Sequence, residues 1–274
     1  MRVQSEIQLT IHGRTIGGPR PLICVPLMAA SREALLEQAG AVDRLQPDLI
    51  EWRADAFEGL SDLAYVHQTL KALRAGRPAQ PLLFTCRAPA EGGVQTIAAD
   101  QRRKLYHMVI RTGLADLIDI ELASGPTTIR DLREETTAAG VHLILSFHDF
   151  DRTPGREILL GKLQEAEQAG ADIAKIAVMP RSCRDVVTLL DAACEARHQF
   201  LKIPLIAIAM GEAGVVTRLA GGQFGSDIVF ASGAVATAPG QLAIQDLRKV
   251  WSVLTGPKDR QPQGVPGAPP LGEA

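Results

Sequence analysis

The sequence lacks most of the signatures that declare a function at sight. It has no excess of one charge: 29 lysines and arginines face 31 aspartates and glutamates, a formal net charge of −2. No global field draws such a chain to nucleic acid or to an anionic membrane, so any anion it binds must be held by local arginines and lysines. Its four cysteines, Cys24, Cys86, Cys183 and Cys194, form no C-x-x-C pair, and no His-x-x-x-His spacing completes a zinc pattern. Cys24 and Cys86 sit in apolar runs, where a thiol behaves as a small hydrophobe, and all four read as reduced thiols of a cytoplasmic protein. No apolar run approaches the ~20 residues that span a bilayer. Residues 1–6 carry no continuous apolar stretch of the kind a signal peptide needs. These absences leave an enzyme of small molecules as the best-supported class.

What is present is a rhythm. The 274 residues are 46% hydrophobic and 22% charged, enough for one large core, and barrels of roughly 250 residues fold as single units. Short β-rich runs at 22–27, 48–53, 81–87, 115–122, 141–148, 172–179, 204–210 and 227–231 are each followed by a segment of helical periodicity. The helical segments lie near 31–45, 61–75, 99–112, 128–139, 155–169, 181–198, 213–221 and 241–254. Ser31 and Ser61 stand where N-caps are expected, and Gly76, Gly113, Gly140 and Gly170 where a helix end favours positive φ. Eight strand–helix units predict an α/β fold, a closed parallel (β/α)8 TIM barrel, as one catalytic domain over residues 1–255. The alternative, a doubly wound open sheet, usually announces a nucleotide site by G-x-G-x-x-G after its first strand; here that turn is Met28-Ala29-Ala30-Ser31. Residues 5–18 predict an N-terminal β-hairpin, 7–11 with 15–16, closing the bottom of the barrel. Residues 256–274, with five prolines and four glycines, are expected to be a disordered tail outside the chemistry.

Barrel strands are apolar on both faces, so charges within them need a reason. Glu51 and Arg53 end the second strand, Arg87 the third, Asp119 and Glu121 share a face of the fourth, His148 ends the fifth, and Lys175 interrupts the sixth. Nearly all lie toward the C-terminal strand ends, where barrel enzymes assemble their sites. Ile173, Ile176 and Val178 around Lys175, with arginines nearby, favour the uncharged amine that Schiff-base catalysis needs. The alternative is an ammonium paired with Glu51, Asp119 or Glu121. His148 is positioned to take and return protons; His67, His107 and His198 fall in predicted helices.

Several segments match one family in order. They are Glu51-Trp52-Arg53-Ala54-Asp55, Phe84-Thr85-Cys86-Arg87 with Glu91-Gly92-Gly93, Asp119-Ile120-Glu121-Leu122 and Ser146-Phe147-His148-Asp149-Phe150. Ala174-Lys175-Ile176-Ala177-Val178-Met179-Pro180, Arg218-Leu219-Ala220-Gly221 and Ala238-Pro239-Gly240-Gln241 follow. Over roughly 20–250 the chain resembles the type I 3-dehydroquinate dehydratases of the shikimate pathway. The resemblance implies a Schiff base between Lys175 and 3-dehydroquinate, with His148 as acid and base and no metal or organic cofactor. It implies that Glu91 orients His148, that Arg218 grips the substrate carboxylate, and that Glu51, Arg53 and Arg87 read hydroxyls and position the ring. It also implies that loop 231–241 closes over substrate, bringing in Thr237 and Gln241, and that the protein is a homodimer. Two departures stand out: Thr237 replaces the usual serine, and the turn Met210-Gly211-Glu212-Ala213-Gly214 carries glycine where a small polar residue is expected. Two rival readings remain from the residues themselves: a Schiff-base aldolase acting on a sugar phosphate or keto acid, and a barrel that binds a related acid without turnover. Asp119 and Glu121 either tune His148 or pair with the arginines.

Overall fold

The computed structural model describes residues 2–233 and 237–255. The hairpin comes first, β1 (Leu9–Ile11) antiparallel to β2 (Arg14–Ile16), turned by His12 and Gly13 at φ 46° and 74°. The barrel strands are β3 (Leu22–Leu27), β4 (Leu49–Arg53), β5 (Leu82–Thr85), β6 (Leu117–Glu121), β7 (His142–Asp149), β8 (Ile173–Val178), β9 (Leu205–Ala209) and β10 (Ile228–Phe230). All pair in parallel in the order β10-β3-β4-β5-β6-β7-β8-β9, and a bridge from Leu205 to Ser226 closes the ring between β9 and β10. This is the (β/α)8 barrel that the alternation predicts.

Around it run α1 (Arg32–Asp43), α2 (Leu63–Ala75), α3 (Ala99–Thr112), α4 (Pro126–Ala139), α5 (Arg156–Gln168), α6 (Cys183–Gln199), α7 (Val215–Ala220) and α8 (Ile244–Thr255). Ser31 caps α1, accepting from the Ala34 N–H. For α2 the cap is Asp62 rather than Ser61: its carboxylate accepts from the N–H groups of Ala64 and Tyr65. Gly113, Gly140 and Gly170 adopt positive φ as expected, whereas Gly76 ends α2 in a right-handed turn at φ −74° and needs no glycine freedom.

Strand alternation divides the core in two. Residues such as Trp52, Phe84, Ile118 and Ile120 face outward and pack under the helices. Leu22, Leu49, Leu83, Leu117, Ile144, Ile173, Ile206 and Ile228 face inward and fill the barrel near its N-terminal end, together with Ile11 and Ile16 of the hairpin. The hairpin therefore closes the barrel bottom with its own two isoleucines. Above that apolar layer the inward positions become polar: Glu51, Thr85, Asp119, Ser146 and Lys175 are all buried. Side chains at the same alternation thus make a plug at one end and a polar chamber at the other.

Candidate active site

Lys175 stands on β8, paired in register with Ser146 of β7 on one side and Ile206 of β9 on the other. It is buried, and its Nζ lies 2.6 Å from Asp119 Oδ2 and 4.8 Å over the Phe230 ring. The paired alternative is therefore the arrangement found: the Lys175 side chain is in contact with the Asp119 carboxylate. Asp119 carries more than Lys175: Arg87 Nη2 lies at 2.8 Å and the Ser146 hydroxyl donates to Oδ1 at 2.6 Å. Burial alone would raise this carboxyl, but the charges of Arg87 and Lys175 overcome it and hold Asp119 well below the ordinary carboxylate range.

His148 lies on β7, in register with Ala177 and two residues beyond the partner of Lys175. Its Nδ1 is 2.8 Å from Glu91 Oε2, and its backbone N–H donates to the same oxygen at 2.9 Å. Glu91 arrives on a single 3-10 turn, Pro89–Glu91, that Gly92 ends at φ 85°. A side chain on the next residue, Gly93, would collide with the backbone of Arg87 and Ala88, so the loop hugs the end of β5. Burial lowers His148 well below the ordinary imidazole range, and the charges of Arg87 and Lys175 add to it. Burial pushes Glu91 up to about 7, against the pull of Arg87 and the His148 N–H. The result is a neutral imidazole with one nitrogen tethered, which leaves Nε2 for proton transfer.

Arg218, from the short α7, is buried without an ion pair among the described residues. It is 3% exposed, donates only to the carbonyls of Ala209 (3.0 Å) and Pro239 (3.0 Å), and its Nε has no partner. Among the described residues no carboxylate lies within ion-pair distance, and burial pulls its pKa down to about 10. A guanidinium held dry without a counter-charge is a ready seat for an anion. Arg53 is gripped in a fork by Asp55 at 2.8 and 2.9 Å, and Glu51 accepts from the Thr85 hydroxyl at 2.7 Å. Thr237 donates both its N–H (2.8 Å) and its hydroxyl (3.1 Å) to Gln241 Oε1. The methyl that distinguishes threonine from serine thus leaves the hydroxyl engaged. Gly211 sits at φ 69° and Gly240 at φ 75°, and a side chain on Gly240 would strike the Gly211 carbonyl, so these two turns close on each other through glycine. Within loop 231–241, residues 234–236 lie outside the described residues, as does the expected tail 256–274.

All of these converge. Lys175, His148, Glu91, Glu51, Arg53, Arg87, Arg218, Thr237 and Gln241 line one cavity at the C-terminal end of the barrel, about 550 Å³ including the space open at its mouth. The model of the family described as type I 3-dehydroquinase matches residues 23–257. The chain belongs to the type I 3-dehydroquinase family. It is 44% identical over 253 residues to a 3-dehydroquinate dehydratase of Geobacillus thermodenitrificans, covering 91% of this chain and 97% of that one. The crystal structure of a 3-dehydroquinate dehydratase from Geobacillus kaustophilus superposes with a TM-score of 0.90 at 44% identity, covering 93% and 98% of the two chains. A type I enzyme from Clostridium difficile, solved with covalently modified comenic acid, superposes with a TM-score of 0.88 at 36% identity, covering 90% and 98%. The chain is accordingly a type I 3-dehydroquinate dehydratase by activity, a hydro-lyase, and the aldolase and non-catalytic readings are set aside.

Several members of this type I site escaped sequence reasoning. Asp55 is fully buried and, besides gripping Arg53, accepts the N–H groups of Arg87 and Val94, which ties two strand ends and a loop together. Ser146 accepts from Arg87 Nη1 at 2.8 Å while donating to Asp119. Tyr106 of α3 accepts the Cys86 N–H (3.0 Å) and donates to the Asp119 carbonyl (2.7 Å), fixing the backbone beneath both acids. Glu121 accepts from Arg87 Nη1 at 2.9 Å and pairs with Arg102, so for Glu121 the pairing option holds. The inward alternation of Ser146 between Ile144 and His148 was a visible signal; Tyr106 and Arg102, on a helix, offered none.

Proposed function

We propose that this cavity dehydrates 3-dehydroquinate through a Schiff base on Lys175, with His148 moving every proton. The single observation that supports this best is the convergence of a buried lysine, a neutral histidine tethered to Glu91 and an unpaired Arg218 on one pocket. Neutral His148 takes a proton from the Lys175 ammonium, and the free amine adds to the substrate ketone. His148 returns that proton to the carbinolamine hydroxyl, which leaves as water and gives an iminium. His148 then removes a proton from the adjacent carbon, and the electron pair moves into the iminium to form a neutral enamine. The enamine expels the β-hydroxyl, which leaves as water with the proton of His148. Addition of one water to the conjugated iminium releases 3-dehydroshikimate and restores the Lys175 ammonium beside Asp119. The net change is loss of one water.

In this scheme Glu91 orients the imidazole and balances its positive form. Arg218 binds the substrate carboxylate, and Glu51, Arg53 and Arg87 read its hydroxyls from the cavity wall. Thr237 and Gln241 complete the wall from the loop side. The Clostridium difficile relative was solved with covalently modified comenic acid, which is in keeping with covalent chemistry in this family. Free Cys24 and Cys86, both buried, support a cytoplasmic enzyme, and the family resemblance supports a homodimer. Among the described residues no helix is long and apolar enough to cross a membrane.

The test is intact-protein mass spectrometry after borohydride treatment with 3-dehydroquinate present. An adduct mapping to Lys175, absent in Lys175→Ala together with a loss of turnover of at least ~10³-fold, is expected. Turnover at the parental rate in Lys175→Ala would overturn the mechanism.

A further inference from the structure

Phe150 has no part in the scheme above, yet it is oddly placed for a surface residue. It ends the segment Ser146-Phe147-His148-Asp149-Phe150 and is 40% exposed, one of the few large apolar side chains left in solvent. Its ring lines the mouth of the cavity. The ring stacks on the His148 imidazole, with centroids 6.4 Å apart and planes inclined by 21°. The ring also lies against Gly92, directly after Glu91, where an added Cβ would overlap it and where φ is 85°. The chain thus holds a residue without a side chain, in a conformation that favours glycine, at the point where the ring comes down. Beneath ring and glycine lies the Glu91–His148 pair, whose side chains are 9% and 7% exposed.

We propose that Phe150 is a positioning residue for the known reaction: seated on Gly92, its ring holds the imidazole plane of His148 and keeps water off the His148–Glu91 pair. Two contacts give the ring this role. Stacking resists rotation of an imidazole that is tethered at Nδ1 alone, and cover over the pair keeps the Nδ1–Oε2 bond in a dry environment where it is stronger. The proposal rests on His148 being the acid and base. Other charges facing His148 are Arg53 of β4, Arg87 after β5, Asp119 of β6 and Lys175 of β8, beside Glu91. Removing Phe150 alters none of Arg53, Arg87, Asp119 and Lys175, so a change in the pH behaviour reports the cover over the His148–Glu91 pair.

The experiment compares Phe150→Ala, Phe150→Leu and Phe150→Tyr in the full chain for kcat, KM and the pH profile of kcat/KM. Phe150 is exposed enough for all three to fold, and thermal melting verifies it. Phe150→Ala is expected to lower kcat ~10–100-fold with KM within ~3-fold. The acid limb of its profile should move up by about one pH unit as water restores the ordinary basicity of the imidazole. Phe150→Tyr, which keeps the ring, should restore kcat to within ~3-fold and return the limb, while Phe150→Leu should fall between. Gly92→Ala, which lifts the ring from its seat, should reproduce the Phe150→Ala limb. An unchanged limb and kcat in Phe150→Ala would overturn the proposal, and so would a raised KM with the limb unmoved, which marks a mere substrate contact. Parental turnover in His148→Ala would instead sink the acid–base reading beneath it.

Discussion

The two ends of the barrel use the same residue types to opposite purposes. At the N-terminal end Asp48, Asp116, Asp172 and Asp227 each stand immediately before an alternate strand, β4, β6, β8 and β10. Each accepts the N–H of the preceding strand: Ile23, Leu82, Leu143 and Leu205, at 2.9, 2.8, 2.8 and 2.7 Å. Each also holds an arginine: Arg20, Arg74, Arg133 and Arg197, respectively. One clasp is repeated around the ring and pairs each carboxylate with a cation. In the most buried of the four, burial still raises Asp227 and lowers Arg197, whose Nε has no partner, so that clasp holds its charges by contact against the cost of desolvation. At the C-terminal end the pairing is incomplete: among the described residues Arg218 has no acid, and Glu91 faces an imidazole that burial keeps neutral. A buried charge that is satisfied contributes to the fold, and one left wanting is available to a ligand. Breaking members of each set tests that distinction.

The largest effect on stability is expected at Asp227, which is fully buried and ties Arg197 and Arg2. Asp227→Asn keeps an acceptor for the Leu205 N–H but leaves two buried guanidinium groups without a counter-charge. Denaturant unfolding should show a loss of ~3–5 kcal/mol, while the folded fraction retains its kcat. A loss in kcat at unchanged stability would mean that the bottom of the barrel is wired to the site, and the division between ends would fail. Arg218→Ala comes next and should do the reverse. Removing it should raise KM for 3-dehydroquinate ~30–100-fold, about 2–3 kcal/mol, and leave the melting temperature at or above the parental value. An unchanged KM would move carboxylate binding elsewhere in the cavity.

Much of this division was legible in the chain. Period-two alternation in Leu117-Ile118-Asp119-Ile120-Glu121 put both acids on one face, and the strand count fixed which end of the barrel that face opens on. Nine residues named for the site line one cavity: Glu51, Arg53, Arg87, His148 and Lys175 showed as charges within strands or at their ends, whereas Glu91, Arg218, Thr237 and Gln241 came from the family resemblance. What the chain concealed is partnership across distance. Lys175 meets Asp119, 56 positions away, only because β6, β7 and β8 pair in one particular register. A local reading of Lys175 sees its isoleucines and leaves Glu51, Asp119 and Glu121 all open as its carboxylate. Arg218 illustrates the converse: its significance is that no carboxylate among the described residues pairs with it, and no sequence pattern records an absence. The four aspartates before alternate strands were in plain view as Asp48, Asp116, Asp172 and Asp227, but their common role appears only when each N–H is traced to its acceptor.

Glu91→Gln carries the comparison to its smallest and most discriminating effect. Glu91 is pushed up to about 7 from the ordinary 4.5, so the folded state retains a proton that the unfolded chain has lost between those values. The unfolded state binds fewer protons there, and stability must fall as pH rises from about 4.5 through 7 and then level off. His148, shifted the other way, loses stability for the fold as pH drops below its ordinary range, and it does so in parent and variant alike. The difference between the two proteins therefore isolates the carboxyl. Glutamine carries no charge to desolvate and can still accept from His148, at the cost of a weaker hydrogen bond. Thermal melting should find Glu91→Gln more stable than the parent by ~1–2 kcal/mol at pH 8 and equal to it near pH 4.5, with kcat lower by ~10–100-fold. An aspartate clasp at the bottom answers neutralisation with lost stability and intact chemistry; Glu91 should answer with the opposite pair. If Glu91→Gln instead proves less stable at pH 8, its carboxylate is as well satisfied as those at the N-terminal end, and the raised pKa must be read as a property of the pair with His148 alone.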